Sequence, residues 1–156
     1  MRLRICAVGR SRTGPERVLA DDYLARFDRT GRSLGLGPAE IAEVEDRKGG
    51  GRYAEAALLG RAIPAGALVV ALDERGRTLS SPEFAEQLGR WRDDGISALA
   101  FLIGGADGLD PDLRDRADMV LSFGPMVWPH MLARAMLAEQ LYRAASILAG
   151  APYHRE

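Results

Sequence analysis

Hydrophobic residues follow two different spacings along this chain, and the two spacings alternate over its whole length. Short, almost continuous apolar runs predict strands, whereas helical spacing between proline and glycine signals predicts helices. The predicted strands cover residues 2–8, 39–44, 67–72, 98–103 and 119–123. The predicted helices cover residues 15–28, 52–62, 82–93, 111–117 and 130–149.

The strand runs at 67–72 and 98–103 are apolar at nearly every position. Such runs are typical of strands that are buried on both faces, as in parallel sheets covered by helices. We therefore expect an α/β fold, with a mostly parallel sheet and helices on both of its faces. Neither an internal repeat nor a low-complexity segment divides the sequence, so residues 1–156 are expected to form a single domain.

Composition is that of an ordinary globular protein, with 156 residues of which 47% are hydrophobic and 28% charged. No apolar run approaches the roughly twenty residues that a membrane-spanning helix needs. The first apolar run is too short for a signal peptide, so we expect a cytoplasmic protein. Cys6 is the only cysteine, and the chain has two histidines. An intrachain disulfide is therefore excluded, and no metal site is expected.

Charge is nearly balanced overall, with a formal net charge of −1, but it is unevenly distributed. Residues 1–32 contain eight arginines and four acidic residues, which is a local excess of four positive charges. Basic residues recur at Arg47, Lys48 and Arg52. Such a surface suits a phosphate backbone, and it is equally typical of a solvated, arginine-rich face. Charge by itself leaves both interpretations open.

Three predicted strand ends are candidates for a ligand site, because open α/β sheets bind ligands outside the carboxyl ends of their strands. They are Leu72-Asp73, the turn that begins at Gly104-Gly105, and the segment 123–129. The glycine turn would let backbone amides approach a ligand, although a tight turn with positive φ explains the same glycines. The large apolar residues of the third segment predict a pocket for a flat heterocycle such as adenine, or else a plug in the core or in a partner subunit.

Polar residues near both ends of the last predicted helix are candidates for the chemistry. His130 begins this helix and Arg134 lies one turn further on. The helix dipole would lower the pKa of His130, which could then act as a neutral base, and a hydrogen-bonding role at the helix start is the simpler alternative. Tyr153, His154 and Arg155 could stack on a base, relay a proton and hold a phosphate, although terminal residues are usually frayed.

Several segments resemble one known family, the bacterial ribosomal RNA large-subunit methyltransferase H family of the SPOUT class. The segments that carry the resemblance are LIGGADGL, SFGPMVWPH, LARAMLAEQLYRA and the terminal YHRE, together with LRICAVGR and VVALDERGRTLSSPEFA. The resemblance runs nearly end to end. It is densest over residues 67–156 and looser over about 30–62.

The resemblance implies an α/β fold whose C-terminal part is threaded as a trefoil knot. It also implies a homodimer that binds S-adenosylmethionine in the knot and methylates N3 of a pseudouridine in large-subunit ribosomal RNA. By motif, the implied cofactor-binding residues lie at the same three strand ends: Leu72, Gly104, Phe123, Gly124, Pro125, Met126, Val127 and Trp128.

The sequence departs from the family pattern inside the last of these segments. The family commonly has Ser-Lys-Met-Thr where this chain has Gly124-Pro125-Met126-Val127. Two hydroxyl groups are lost, so we expect cofactor contacts in this loop to come from backbone groups.

The implied chemistry requires the imide proton of the pseudouridine to leave N3 as the nitrogen attacks the sulfonium methyl. Alignment of the two atoms would supply much of the acceleration, and a base could add more. His130 and His154 are the candidate bases, with Tyr153 the weaker third. Arg134 and Arg155 would hold phosphate or stabilise the imide anion. If two subunits share the site, helix 130–149 is expected to form the dimer contact.

Other functions fit the sequence less well. A Rossmann-type oxidoreductase would need G-x-G-x-x-G after the first strand, where only Gly9 and Gly14 occur. A receiver-type phosphorylation domain would need acidic residues after Val8. A non-enzymatic α/β module that binds RNA or ribosomes is the main alternative, and it would not bind S-adenosylmethionine without RNA. The modest net charge indicates a preformed ribosomal surface as substrate rather than long naked RNA.

Overall fold

The computed structural model describes residues 1–155, and Glu156, the last residue of the terminal motif, lies outside the described residues. The strands are β1 (Arg2–Val8), β2 (Ala39–Val44), β3 (Leu68–Thr78), β4 (Ala98–Ile103) and β5 (Met119–Ser122). The α-helices are α1 (Pro15–Gly31), α2 (Gly51–Ala62), α3 (Ser81–Asp93), α4 (Pro111–Asp115) and α5 (His130–Leu148). A short 3-10 helix, Arg32–Leu34, follows α1.

The five strands form one sheet in the order β2-β1-β4-β3-β5, and every neighbouring pair is parallel. On the internal strand β1, Leu3 is in register with Ala39 of β2 and with Leu99 of β4. The expected α/β fold with a mostly parallel sheet is therefore confirmed. Parallel strands end at the same edge of a sheet, so the three candidate strand ends lie on one side of the molecule.

Alternate residues of each strand enter two separate hydrophobic clusters, one on each face of the sheet. Leu3, Ile5 and Ala7 of β1 pack with α1, α3 and α5, whereas Cys6 and Val8 pack with α2 and α4. This alternation follows from the two-residue repeat of a strand. Both faces of the sheet are covered, which explains why β4 and the first part of β3, residues 68–72, are apolar at every position.

Strand β3 is longer than its apolar run predicts. The expected strand ends at residue 72, but pairing with β5 is interrupted after Leu72 and resumes at Arg77 and Thr78. The polar residues 73–76 between these two paired parts predict a turn from sequence. Pairing with β5 is what keeps the chain beyond them in the sheet. A Cβ at Gly76 would lie 2.7 Å from the carbonyl of Val120, so this approach requires glycine.

Helix ends follow their local hydrogen-bonding groups. Helix α3 begins with a capping box, in which the Ser80 hydroxyl accepts the Glu83 N–H and the Glu83 carboxylate accepts the Ser80 N–H. The helix predicted over 111–117 ends earlier, at Asp115, because the N–H of Ala117 bonds three residues back, to the carbonyl of Arg114, and tightens the last turn. The strand predicted over 119–123 ends at Ser122.

In the described part of the chain, no helix combines the length and the apolar character that crossing a membrane requires. The trefoil knot and the single-domain organisation stay predictions.

We expect the core on the α1 face to dominate stability. Phe27 of α1 is fully buried, whereas Tyr53 of α2 is 83% exposed. Phe27→Ala should lower the free energy of unfolding by roughly 3–5 kcal/mol, because it leaves a cavity in a packed core. The matched aromatic control, Tyr53→Ala, should change it by less than about 0.5 kcal/mol. Urea denaturation at fixed protein concentration measures both, and similar losses for the two variants would contradict this assignment of the core.

Candidate active site

A cavity of about 460 Å³ lies at the carboxyl edge of the sheet, between the ends of β3, β4 and β5. Seven of the eight predicted cofactor-binding residues line it: Leu72, Gly104, Phe123, Gly124, Met126, Val127 and Trp128. Pro125 is not among the residues that line this cleft. Parallel pairing alone brings the three strand ends together, since they are distant in the sequence. We call this cavity the strand-end cleft.

The glycine turn forms one wall of the strand-end cleft and is tightly folded. Gly105 and Gly108 form a two-residue antiparallel bridge, and Gly108 has a φ of +77°. A Cβ at Gly104 would lie 2.4 Å from the carbonyl carbon of Gly108. The glycines are thus required by the turn itself, and the same turn presents bare backbone to the cleft. The geometry of the turn accounts for these glycines, and ligand binding by Gly104 stays a prediction.

The segment 123–129 forms the opposite wall and leaves its large side chains exposed. Met126 is 70% exposed, Val127 81% and Trp128 41%. The alternative of a loop plugged into the core of its own chain is therefore wrong for these three residues, whereas Phe123 is half-buried and packs against the core. Exposed apolar groups beside a cleft are available to a ligand or to another subunit.

Ser122, which the sequence analysis did not select, fixes the base of this loop. Its hydroxyl oxygen accepts the N–H of Gly124 at 3.0 Å and lies within hydrogen-bond distance of the carbonyls of Glu74 and Gly124. Gly124 has a φ of +107°, a conformation that favours glycine. The loop of this chain is therefore held by backbone groups and one buried serine.

Asp73 is a second residue that the sequence analysis named only as a strand end. It lines the strand-end cleft, and its largely buried carboxylate pairs with Arg75 at 3.6 Å and with Arg114 at 3.7 Å. The sequence signal that could have selected Asp73 is its position directly after the apolar part of β3, at a predicted strand end. The ion pairs show that this carboxylate is already neutralised by the protein.

His130 also lines the strand-end cleft, at the first residue of α5. Its Nε2 lies 3.5 Å from the position that a Cβ would occupy at Gly9, so the imidazole packs against the end of β1. Burial lowers the pKa of His130, and the positive charge of Arg134 lowers it further. The position of His130 in the sequence predicts such a shift from the helix dipole, whereas desolvation and a neighbouring cation are the causes in the structure.

Arg134 is placed differently from what phosphate binding would require. The residue is 2% exposed. Its guanidinium donates to the carbonyl oxygens of Val8 at 2.5 Å and Gly9 at 2.7 Å, and it pairs with Glu43 at 3.4 Å. These contacts turn the guanidinium toward the protein interior and away from solvent.

The C-terminal candidates are held at the other end of α5. The Tyr153 hydroxyl donates to Glu139 at 3.0 Å, and its ring packs on Tyr142 with centroids 4.5 Å apart. His154 Nδ1 lies 3.2 Å from a guanidinium nitrogen of Arg143, and Arg155 is exposed. Burial raises the pKa of Tyr153, and the side chains of Tyr23 and Glu139 raise it further, so its phenol is unsuited to act as a base.

Within one chain, the tail and His130 are too far apart to act on the same atom. Glu139, which binds Tyr153, lies nine residues after His130 on α5, about 14 Å along the axis at 1.5 Å per residue. Arg143, which contacts His154, lies about 20 Å from His130 by the same measure. The structure therefore divides the predicted catalytic residues into two groups.

A second cavity of about 570 Å³ lies between α1, α3 and α5. Most of its lining side chains are apolar, including Leu19, Leu132 and Met136, and the tail-binding Glu139 is at its rim. Leu121, Phe123 and Gly124 line both this cavity and the strand-end cleft. We call it the α1–α5 groove. A molecule bound in the groove would touch the back of the 123–129 loop.

In the described part of the chain, four of the eight arginines of residues 1–32 form ion pairs with acids. Arg4 pairs with Glu40, Arg10 with Glu45, Arg26 with Asp22, and Arg17 with both Asp21 and Glu43. Three acids from outside residues 1–32, Glu40 and Glu43 of β2 and Glu45 after it, thus offset part of the local excess of positive charge. This pairing favours the interpretation of a solvated, ion-paired surface over a dedicated phosphate track.

Comparisons with known proteins agree on one class of protein, the methyltransferases. The family model described as "Predicted SPOUT methyltransferase" matches residues 1–154. The chain is 70% identical over 155 residues to a protein of Dinoroseobacter shibae named ribosomal RNA large subunit methyltransferase H, and 71% identical over 155 residues to a protein of the same name from Cereibacter sphaeroides. Each match covers 99% of this chain and 99% of the relative.

Two solved structures share the fold at low sequence identity. A probable methylase family protein from Haemophilus influenzae aligns with a TM-score of 0.54 and 16% identity, over 99% of this chain and 70% of that one. A probable methyltransferase from Bordetella pertussis aligns with a TM-score of 0.53 and 19% identity, over 92% of this chain and 95% of that one.

We expect the imidazole of His130 to titrate below the ordinary histidine value of about 6.5, so that it is neutral at pH 7. Proton NMR across a pH series measures the midpoint directly, because the chain has two histidines. The spectrum of His130→Gln identifies which signal belongs to His130. A midpoint at or above the ordinary value would contradict the stated effects of burial and of Arg134.

Proposed function

This chain belongs to the SPOUT methyltransferase family, and we propose that it transfers a methyl group from S-adenosylmethionine to N3 of a pseudouridine in large-subunit ribosomal RNA. The observation that carries the proposal is 70% identity, over nearly the full length of both chains, to a relative named ribosomal RNA large subunit methyltransferase H. Methylation of ribosomal RNA is thereby supported over the alternative of a non-enzymatic binding module. Ribosomal RNA as the substrate supports the expected cytoplasmic location, because ribosomes are assembled and work in the cytoplasm of bacteria.

The strand-end cleft has the features that S-adenosylmethionine requires. The glycine turn, with Gly104, offers backbone groups that no side chain covers. The exposed apolar residues Met126, Val127 and Trp128 offer a surface for a flat purine. Leu72 closes the cleft at the end of the apolar part of β3. When bound, the cofactor would supply an electrophilic methyl group on a positively charged sulfur.

His130 is the base that the geometry favours. It lines the same cleft as the proposed cofactor residues, and its lowered pKa keeps the imidazole neutral and able to accept the N3 proton at neutral pH. Tyr153 is disfavoured as a base by its raised pKa and would act as a hydrogen-bond donor. His154 and Arg155 are left to contact the RNA from the tail.

We further propose that the chain works as a homodimer whose α1–α5 groove is covered by a second copy. The groove is apolar, and Val18 and Leu19 of α1 are 67% and 45% exposed beside it. The groove shares a wall with the strand-end cleft. The tail of a partner docked in the groove could therefore reach this cleft, which the tail of the same chain does not reach. This arrangement would unite the two groups of catalytic residues, with the start of α5 from one subunit and the tail from its partner.

The charge distribution supports a preformed ribosomal surface as the substrate. A partly ion-paired set of arginines and a net charge of −1 provide little general attraction for long naked RNA. Recognition would then depend on the shape of an assembled particle around the target nucleotide. Strong methylation of protein-free ribosomal RNA would contradict this part of the proposal.

We expect Ala106→Trp to abolish saturable binding of S-adenosylmethionine and S-adenosylhomocysteine, because the exposed Ala106 lines the strand-end cleft and an indole there fills it. The matched control is Ala65→Trp, an exposed residue before β3 at the opposite edge of the sheet. Calorimetric titration measures binding, and circular dichroism confirms that both variants are folded. Transfer of labelled methyl groups to large subunits, followed by nucleoside mass spectrometry, identifies the methylated atom.

Binding to the wild-type chain and to Ala65→Trp, with loss in Ala106→Trp, is the result that supports the cofactor site. Absence of binding to the wild-type chain, together with binding of the folded chain to ribosomes, would instead favour the RNA-binding module.

Complementation tests the shared site. We expect His130→Ala and Arg155→Ala each to lose methyl transfer as homodimers. When the two variants are co-expressed with different affinity tags, random pairing makes about half of the dimers mixed. Each mixed dimer contains one intact pair of cleft and tail out of two, so we expect about a quarter of the wild-type rate. If cleft and tail act within one chain, every mixed dimer lacks an intact pair and the rate stays at the background of the single variants.

A further inference from the structure

Arg134 is the most deeply buried charged side chain of this site. It is 2% exposed, and its two terminal nitrogens contact the carbonyls of Val8 and Gly9 and the carboxylate of Glu43. Val8 and Gly9 lie where β1 ends, so their carbonyl oxygens face a sheet edge rather than another strand. Nη2 donates to both carbonyls while Nη1 faces Glu43, and the rigid fork of the guanidinium lets one side chain serve the strand end and the carboxylate at once.

The start of α5 lacks the usual means of fixing a helix end. Pro129 occupies the N-cap position and provides no side-chain hydrogen bond, in contrast to the capping box of α3. The preceding segment, 123–129, has several exposed side chains and adds little packing. Arg134 lies one turn after His130, so its bonds to β1 attach the first turn of the helix to the sheet.

Glu43, near the end of β2, completes this attachment. Its carboxylate accepts hydrogen bonds from the backbone N–H and the hydroxyl of Ser11, pairs with Arg17 at 2.9 Å, and contacts Arg134 at 3.4 Å. It therefore joins the loop after β1 and helix α1 to the same guanidinium. A buried cation needs such a partner, because removing one member of a buried pair leaves an uncompensated charge.

We propose that Arg134 and Glu43 are positioning residues for methyl transfer: they anchor the first turn of α5 to the ends of β1 and β2 and so fix the His130 imidazole in the strand-end cleft. Neither acts on the RNA or the cofactor itself. The contacts of Gly9 fit this role, since His130 Nε2 and the Arg134 guanidinium both approach it. The inference rests on the proposed function, in which His130 accepts the N3 proton.

The test compares Glu43→Gln with Glu40→Gln on the same strand. Glu40 pairs with Arg4, away from α5. Glu43→Gln should lower kcat for methyl transfer to large subunits by at least about tenfold, since small displacements of catalytic groups cost that much or more. KM for the large subunit and the Kd of S-adenosylmethionine should stay within about threefold of wild type, because Glu43 touches neither. Glu40→Gln should leave all three unchanged.

Arg134→Lys provides a second variant, which keeps a cationic side chain but loses the fork that joins the two carbonyls to Glu43. We expect it to lower kcat in the same way, and to shift or broaden the NMR signal of the His130 imidazole. The signal should also change in Glu43→Gln but not in Glu40→Gln. Thermal unfolding establishes that each variant is folded at the assay temperature.

Equal kcat values for folded Glu43→Gln and Glu40→Gln would overturn the inference. The NMR signal separates this failure from a failure of the proposed function. If the wild-type chain transfers no methyl group, the proposed function is contradicted, and an unaltered His130 signal in Glu43→Gln and Arg134→Lys would overturn the positioning role as well.

Discussion

Five parallel strands, covered by helices on both faces, place all of their carboxyl ends at one edge of this protein. Successive strands can run parallel only if the chain crosses back over the sheet each time, and the crossing segments supply the helices that bury it. Loops form the edge where the strands end, and because loop residues lie at the surface, they are available to bind a ligand. Leu72, Gly104 and Phe123 meet there for this reason, although their segments are far apart in the sequence.

The polar groups at this edge are organised by two buried side chains. Ser122 holds the base of the 123–129 loop through the Gly124 backbone, and Arg134 holds the start of α5 through the ends of β1. Between these two points lies the part of the chain that the proposed cofactor would contact. In this protein the loss of two family hydroxyls is thus accompanied by a loop that depends on its backbone and on its attachment points.

Helix α5 separates the candidate catalytic groups instead of gathering them. His130 begins the helix at the strand-end cleft, while the tail packs beside Glu139 and Arg143 near its other end. Because the rise per residue of an α-helix is fixed, the helix keeps these two groups of residues apart within a single chain. The apolar α1–α5 groove shares Phe123 with the cleft. In the proposed homodimer, a second copy docked there would bring its tail to the cleft.

The sequence by itself determined the alternation of strands and helices, the parallel sheet and the three strand ends of the cleft, because hydrophobic spacing and glycine positions are local properties of the chain. Tertiary structure alone decided that β3 continues to Thr78, that Arg134 faces inward to Val8 and Gly9, and that Tyr153 lies about 14 Å along α5 from His130. Each of these depends on a partner distant in sequence, such as β5, the end of β1 or Glu139. Spacing along a chain shows which residues share an element, but not what that element meets.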